Sequence, residues 1–244
     1  MTGGGRGLGR AIAQQLAAAG ARVAVLARSA DELDRTVATI ETGGGSALAV
    51  RADVADPEQI NRALAAIRDR WGPVEVLVNN AGVVSPLGST VTVDPDGWAA
   101  AVAINLTAPA LLTVTLLPSM IETGWGRIVN VSSGIAASPG GMPRANAYVT
   151  TKAAVEAHTL NLAAELEGTG VTVNVYRPGG VDTAMQSFIR SQDPARIGTA
   201  LHDRFVRNYE ANALLSPDES AASLLARLAG DSTGRIWDAA DPVP

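Results

Sequence analysis

The sequence Met1-Thr2-Gly3-Gly4-Gly5-Arg6-Gly7-Leu8-Gly9 opens the chain and leads directly into an amphipathic helix pattern. Leu8, Ile12 and Leu16 fall on one stripe of that helix, which we expect to end at Gly20. A glycine-rich turn before a helix suits a phosphate, because the missing Cβ atoms let the backbone approach and the free N–H groups favour an anion. By themselves such glycines are a weak signal, since a flexible tail would look similar.

Helix and strand patterns alternate along the rest of the chain, which predicts an α/β fold with a doubly wound parallel sheet flanked by helices on both faces. No linker or internal repeat divides residues 1–244, so we expect a single domain. Residues 184–215 lack strong periodicity and are predicted to form a substrate-binding lid. The predicted strands are 22–27, 46–50, 74–78, 127–133, 171–176 and 234–237, and the predicted helices after the first are 31–42, 57–70, 95–121, 146–167 and 217–229.

Composition narrows the class of protein. Of the 244 residues 47% are hydrophobic and 18% charged, which is ample for a buried core, and a net charge of −5 without basic clusters argues against nucleic acid as a partner. There is no cysteine, and the two histidines, His158 and His202, have no carboxylate at metal-ligand spacing, so we expect no metal. Neither an uninterrupted apolar run of about 18 residues nor a leader is found, so we expect a cytoplasmic protein without a membrane partner.

Tyr148 and Lys152 form the most informative pair, because Lys152 is the only lysine in the sequence. On a helix, residues four apart project from one face. A phenol titrates near 10 in water, and a cation about 4 Å away would favour the phenolate by roughly 4 kcal/mol before desolvation offsets part of this gain. We therefore predict that Lys152 makes Tyr148 usable as a general acid/base near neutral pH. An ordinary helix with a surface lysine and a core tyrosine is the plainer alternative for this pair alone.

Two arginines bear on the choice of dinucleotide. The residue at the end of the 22–27 strand meets the adenosine ribose in dinucleotide-binding folds, where a carboxylate selects the free 2′-hydroxyl. Here Ala27 is followed by Arg28, and Arg6 lies in the glycine loop. Arginines suit a 2′-phosphate, so we expect NADP(H) to be preferred over NAD(H). Two solvated arginines would be the alternative interpretation.

Taken together, the motifs resemble the short-chain dehydrogenase/reductase family, in its single-domain branch, from Thr2 to about Trp237. Six motifs in family order are far more specific than any one of them. They are Thr2-Gly3-x-x-x-Gly7-x-Gly9, Asp53-Val54, Asn79-Asn80-Ala81-Gly82 with Asn105, Ser132-Ser133, Tyr148-x-x-x-Lys152, and Pro178-Gly179 with Thr183.

The resemblance implies a catalytic set of Asn105, Ser133, Tyr148 and Lys152. Tyr148 would exchange a proton with the substrate oxygen, Lys152 would lower the pKa of the phenol and hold the nicotinamide ribose, and Ser133 would stabilise the developing charge. Ser133 is preferred to Ser132 because the family's serine usually directly precedes the loop. Asn105 would seat a water that links Lys152 to solvent.

The resemblance also implies the cofactor contacts. Asp53 and Val54 would contact adenine, Asn79 would lie beside the adenosine ribose, and Val181 and Thr183 would meet the carboxamide. The remaining predicted cofactor-binding residues are Gly3, Arg6, Gly7, Leu8, Gly9, Arg28, Tyr148 and Lys152.

Two departures from the family pattern stand out. The interval from Ser133 to Tyr148 is a couple of residues longer than expected. The family also has a buried strand ahead of the glycine loop, where this sequence has only Met1, so we expect exposed ladder edges on the neighbouring strands. We hypothesise that the natural chain starts upstream, as a GTG valine codon read as a start would produce, and an intact-mass measurement tests this.

The leading functional hypothesis is an NADP(H)-dependent reductase or dehydrogenase acting on a small-molecule ketone or secondary alcohol, with a 3-oxoacyl reductase as the default by analogy. The fold does not choose the substrate or the direction. The alternative is a catalytically silent nucleotide-binding or assembly protein on the same fold. Family members are commonly tetramers through helices here near 98–122 and 146–167, which implies a homotetramer or homodimer.

Overall fold

The structure is a computed structural model, and it describes residues 1–242. Within them lie six strands, each parallel to the strands it pairs with, and they form two sheets. The strands are β1 (Arg22–Ala27), β2 (Ser46–Arg51), β3 (Val76–Asn79), β4 (Gly126–Val131), β5 (Val171–Arg177) and β6 (Ile236–Asp238). One sheet pairs β1 with β2, and the other has the order β3-β4-β5-β6. The predicted parallel α/β architecture is confirmed.

Ten α-helices connect the strands within the described residues. Several begin where the sequence supplies a cap: Ser29 and Asp56 accept hydrogen bonds from first-turn N–H groups, and Ser216 with Glu219 forms a full capping box. The helices are α1 (Gly7–Ala18), α2 (Ala30–Thr42), α3 (Pro57–Trp71), α4 (Pro95–Val102), α5 (Ala108–Thr123), α6 (Asn146–Glu165), α7 (Ala184–Arg190), α8 (Pro194–Ile197), α9 (Thr199–Glu210) and α10 (Pro217–Leu228).

Helices cover both faces of the strands, as the sequence predicts for buried parallel strands. On one face α3, α5 and α6 pack against residues such as Leu77, Ile128 and Val173. On the other face α1 and α10 pack against Val78, Val129 and Tyr176. The predicted sites therefore have one place to converge, the carboxyl ends of the strands.

Within residues 1–242, backbone hydrogen bonds join the two sheets at one end. Leu26 donates to the Met1 carbonyl at 2.9 Å, Thr2 donates to the Val78 carbonyl at 3.1 Å, and Gly3 donates to Leu26 at 2.8 Å. Below this junction β1 and β3 do not pair, and a cavity of about 280 Å³ separates them, lined by side chains that include Leu16, Val23, Leu77, Leu112 and Leu116. The expected gap ahead of the glycine loop is thus present in the fold.

Two regions differ from their predicted secondary structure. Residues 184–215 are largely helical and form α7, α8 and α9. The sequence pattern did not predict these helices because each is too short to show a clear hydrophobic period. The predicted helix 95–121 is interrupted by a π-helical segment, Ala103–Thr107, at Asn105. Helical structure continues across it from Pro95 to Thr123, and this stretch is long and apolar enough to span a membrane. However, Leu112 and Met120 are buried against the sheet, and the core helix of a soluble domain meets the same criteria.

Candidate active site

Helix α6 carries Tyr148 and Lys152 to the carboxyl end of β4. Both side chains are buried, at 9% and 5% exposure. The Lys152 Nζ donates to the main-chain oxygen of Val131, the last residue of β4, at 2.7 Å, and lies 5.8 Å from the centre of the Tyr148 ring. Helix and strand are thereby locked together at the point where ligands bind in parallel sheets.

The ionisation of this pair differs from the prediction. Burial raises the pKa of Tyr148, and a hydrogen bond with Ser133 lowers it in part. Burial lowers the pKa of Lys152 to about 8, against the attraction of Glu156, which raises it. Lys152 points its ammonium at the Val131 carbonyl rather than at the phenol oxygen, so desolvation outweighs the expected acidification of Tyr148.

Asn105 occupies the π-helical segment and is almost fully buried. Its Oδ1 accepts from the Val83 N–H at 2.8 Å, and its Nδ2 donates to the Val83 carbonyl at 2.8 Å and to Thr151 Oγ1 at 3.1 Å. A Cβ built at Gly82 would lie 3.3 Å from Asn105 Oδ1 and 3.5 Å from Lys152 Nζ. The bulge therefore brings Asn105 next to the lysine, in keeping with the frequent occurrence of π-bulges at functional sites.

The two serines after β4 have different surroundings. Ser132 is 2% exposed, and its hydroxyl donates to Glu156 Oε1 at 2.7 Å. Ser133 is partly exposed, and its hydroxyl accepts from the Ile135 N–H at 3.4 Å and neighbours Tyr148. Of the two, Ser133 is the one available to a substrate.

The glycine loop fits a dinucleotide phosphate. A Cβ at Gly9 would overlap the Gly3 carbonyl oxygen, and a Cβ at Gly3 would lie 2.7 Å from Asn80 Nδ2, so side chains are excluded at both positions. The loop ends at the start of α1, whose first-turn N–H groups have no partner within the helix. A Cβ at Gly7 would lie 3.2 Å from Thr183 Cγ2, so the loop also meets the segment predicted to contact the carboxamide. Leu8 turns its side chain into the core, which leaves its backbone for a ligand.

The predicted adenosine contacts lie around the end of β1. Arg6 is exposed and pairs with Glu32 at 3.4 Å, and Arg28 is exposed and lies 3.9 Å from Asp53. Val54 is partly buried against the core. The two long arginine side chains thus lie on either side of the end of β1, and each is next to one carboxylate.

The Asn79 side chain is buried, so its predicted contact with the ribose would fall to its main chain. Its side chain is 3% exposed and donates to Oδ1 of Asn130, the residue that pairs with it on the neighbouring strand β4, at 2.8 Å. Asn80 is the residue that faces the glycine loop: its main-chain N–H donates to Thr2 Oγ1 at 3.0 Å, and its Nδ2 donates to the Thr2 carbonyl at 3.1 Å. This difference between Asn79 and Asn80 could have been predicted from the sequence. Successive side chains of a strand point to opposite faces, so the last residue of β3 and the residue after it cannot both face the glycine loop.

Val181 and helices α7 to α9 follow the Pro178-Gly179 turn. Val181 is buried and bridges to Leu215, while Thr183 precedes α7. Ile189, Ile197 and Leu201, on α7, α8 and α9, share one apolar cluster with Tyr148 and with Val84, Leu87, Met142, Ala145 and Val149. Residues 1–242 contain no group of three or more His, Asp or Glu side chains placed to hold a metal ion.

Sequence reasoning missed Glu156 and Arg177. Arg177 donates to both carboxylate oxygens of Glu156, at 2.9 Å and 2.7 Å. Glu156 lies four residues after Lys152 on α6, so helical spacing was a usable signal. Arg177 could not be found this way, because it comes from β5.

A site built from a glycine cradle, a buried Tyr–Lys pair and a partly exposed serine at the ends of parallel strands defines a dinucleotide-dependent oxidoreductase. The sequence profile described as short chain dehydrogenase matches residues 1–194, so the chain belongs to the short-chain dehydrogenase/reductase family. Its relatives carry the names of NAD(P)-dependent dehydrogenases and reductases that act on CH–OH or carbonyl groups, and the chain is an oxidoreductase of this kind.

Three relatives illustrate the likeness. A short chain dehydrogenase from Pseudocercospora fijiensis is 40% identical over 76% of this chain, and the match spans 60% of that protein's length. The 3-oxoacyl-[acyl-carrier-protein] reductase of Synechocystis is 36% identical over 79% of this chain and 77% of its own. A crystal structure of an actinorhodin polyketide ketoreductase variant with NADPH superimposes with a TM-score of 0.86 at 33% identity, covering 97% of this chain and 93% of that one.

Proposed function

We propose that the protein transfers a hydride between NADP(H) and a ketone or secondary alcohol, with Tyr148 as the general acid/base. The observation that supports this most directly is the convergence of Tyr148, Lys152, Ser133 and Asn105 at the carboxyl end of β4. When bound, the nicotinamide cofactor supplies or accepts the hydride.

Tyr148 handles the proton. Because burial raises its pKa, the phenol is protonated at neutral pH and is ready to donate to a carbonyl oxygen that is being reduced. The hydroxyl of Ser133 donates to the same oxygen and stabilises the charge that develops on it, an effect that typically contributes about 10²–10³-fold in rate.

Lys152 and Asn105 support the pair. Lys152 would hold the ribose hydroxyls of the bound cofactor. Its positive charge would lie near the phenol as Tyr148 gives up its proton. The Asn105 side chain is fully engaged by Val83 and Thr151, so its main-chain carbonyl is the group that would seat the relay water.

The preference for NADP(H) rests on Arg6 and Arg28, which lie exposed near the end of β1 where a 2′-phosphate would bind. The polyketide ketoreductase with NADPH and a gluconate 5-dehydrogenase-like structure with bound NADP are relatives that support it. Asp53, Val54, Val181 and Thr183 complete the proposed cofactor contacts, with Asn79 contributing only main-chain atoms.

A small-molecule carbonyl or alcohol is the proposed substrate, and a 3-oxoacyl thioester is the default because of the Synechocystis relative. Residues 184–215 act as the substrate-binding lid over Tyr148. The protein works in the cytoplasm, without a nucleic acid or membrane partner.

A homotetramer or homodimer is proposed because apolar side chains remain exposed on two long helices. Leu111, Val114 and Ile121 on α5 are 43–63% exposed, and Leu160 on α6 is 39% exposed. Burying such a patch between copies is favourable, and light scattering measures the result.

Oxidation of NADPH with a panel of ketones tests the function. Tyr148→Phe should abolish turnover, whereas Thr42→Val, which also removes one hydroxyl but at an exposed position at the end of α2, should leave it within twofold. NADPH binding without turnover of any ketone or alcohol would favour the catalytically silent alternative.

A further inference from the structure

Glu156 is a buried carboxylate that belongs to no part of the proton transfer described above. It lies on α6 one turn beyond Lys152, and its side chain is 9% exposed. Buried carboxylates require partners, since a lone buried charge is strongly unfavourable. Glu156 has three hydrogen bonds: one from Ser132 Oγ at 2.7 Å and two from Arg177 at 2.9 Å and 2.7 Å.

These partners come from the ends of two neighbouring strands. Ser132 directly follows β4 and directly precedes Ser133. Arg177 ends β5 and precedes the Pro178-Gly179 turn that leads to Val181. One carboxylate on α6 therefore fixes the two strand ends from which the substrate-facing serine and the carboxamide segment emerge.

The same carboxylate is the charged group that acts most directly on Lys152. Groups that face Lys152 from β4 and the π-helical segment, the Val131 carbonyl and the Asn105 amide, are neutral. On α6 itself the neighbours are the Tyr148 phenol and Glu156, and from β5 the Arg177 guanidinium approaches through its pair with Glu156.

We propose that Glu156 is a positioning residue that holds the ends of β4 and β5 against α6 and places a negative charge one helical turn from the buried Lys152. The contribution of Glu156 to turnover rests on the proposed function, whereas its electrostatic effect on Lys152 is independent of that function. Burial lowers the pKa of Lys152 to about 8, and the Glu156 charge is what opposes a further fall.

The single lysine makes this directly measurable. With ¹³C-labelled lysine the whole protein gives one Cε signal, and its titration reports the pKa of Lys152 without cofactor or substrate. Glu156→Gln removes the charge at nearly constant size and leaves Arg177 uncompensated, so we expect the pKa to fall by about one pH unit. At pH 7.5 the protonated fraction would then drop from about three quarters to about one quarter.

A second variant protects the test against a folding failure. Glu156→Gln combined with Arg177→Gln removes both charges of the pair, a change that buried pairs tolerate better than loss of one partner. The expected order of Lys152 pKa values is wild type, then the double variant, then Glu156→Gln. Glu165→Gln, an exposed glutamate on the same helix, is the control and should leave the pKa unchanged.

Activity gives a separate readout. In Glu156→Gln the alkaline limb of kcat/KM should move about one unit toward lower pH, with activity recovering as the pH is lowered. A Lys152 pKa equal to wild type in the single or, if that variant does not fold, the double variant would overturn the proposal, whatever happens to turnover. Failure of the wild type to reduce any ketone would overturn the proposed function instead.

Discussion

The two sheets of this protein are built differently. The catalytic half, strands β3 to β6 with α6, is a continuous parallel ladder in which β4 and β5 are buried along their length. The dinucleotide half, strands β1 and β2 with the glycine loop (residues 2–9), is a two-stranded ladder. Between them, backbone hydrogen bonds of Met1, Thr2 and Gly3 bridge the two sheets next to a cavity of about 280 Å³.

The proposed catalytic residues and the proposed phosphate-binding loop therefore lie in halves of different construction. Tyr148, Lys152 and Ser133 are anchored in the half whose strands support one another on both sides. The glycine loop instead is held by the backbone hydrogen bonds of residues 1–3 and by Asn80. We therefore expect substitutions in the catalytic half to change rates, and substitutions at the bridge to change stability and cofactor binding.

The largest expected effect contrasts two adjacent serines in the catalytic half. Ser133→Ala should lower kcat by about 10²–10³-fold with little change in unfolding free energy, because it removes a donor to the reacting oxygen. Ser132→Ala should lower kcat less than tenfold and destabilise the fold by about 1–2 kcal/mol, since it leaves a buried carboxylate oxygen short of a donor. Steady-state kinetics and urea unfolding measure both, and the reverse pattern would show that Ser132 is the substrate-facing serine.

Thr2→Val is the next test, because it weakens the bridge. Thr2 Oγ1 accepts from the N–H groups of Asn80 and Ala81, both at 3.0 Å, and is buried. Leaving both donors unpaired should cost about 2–4 kcal/mol of unfolding free energy. Amide exchange should accelerate in β1 and β2 before β4 and β5.

Thr92→Val, at an exposed position with one long hydrogen bond, is the matched control and should change stability by less than about 0.5 kcal/mol. Uniform loss of protection across all strands would mean that the halves unfold as one unit.

The pH dependence of stability tests the burial of Lys152 in the catalytic half. Its folded pKa of about 8 lies below the unfolded value of about 10.4, so the unfolded chain binds more protons between pH 8 and 10. Unfolding free energy should therefore rise with pH across this window, by at most about 1.4 kcal/mol per pH unit. Above about pH 10 the raised pKa of Tyr148 acts in the opposite sense.

Lys152→Met removes every lysine titration and should flatten the rise, which chemical unfolding at several pH values would reveal. An unfolding free energy of the wild type that falls from pH 8 to 10 would contradict the lowered pKa of Lys152.

The smallest expected effect concerns cofactor choice in the dinucleotide half. Arg28→Ala should weaken NADPH binding about tenfold, or about 1.4 kcal/mol, and leave NADH binding unchanged, because only NADPH offers a 2′-phosphate. Thermal stabilisation by each cofactor measures this. Arg62→Ala, an exposed arginine paired with Glu58, is the control, and stabilisation of the wild type by NADH alone would refute the preference.

The sequence predicted most elements of the fold because their signals are local. The β-branched run 22–27 matches β1 residue for residue, and the predicted helix 217–229 corresponds closely to α10, Pro217–Leu228. Helices α7 to α9 were not predicted, because segments of four to twelve residues show too little periodicity to reveal an amphipathic pattern.

The site was predictable in membership but not in electrostatics. Spacing brings Tyr148 and Lys152 to one face of α6, but no spacing reveals that Lys152 donates to Val131 or that burial dominates the pKa of the phenol. The inward turn of Asn79 and the π-bulge at Asn105 likewise depend on partners far away in sequence, Asn130 and Val83.

The solitary lysine has a practical consequence for the surface. Since Lys152 is 5% exposed, the folded protein displays arginine but no lysine ε-amine to solvent. Reagents that acylate ε-amines, and supports that capture proteins through them, will find a target only when the domain opens. Labelling of that one side chain would thus act as a chemical clock for opening.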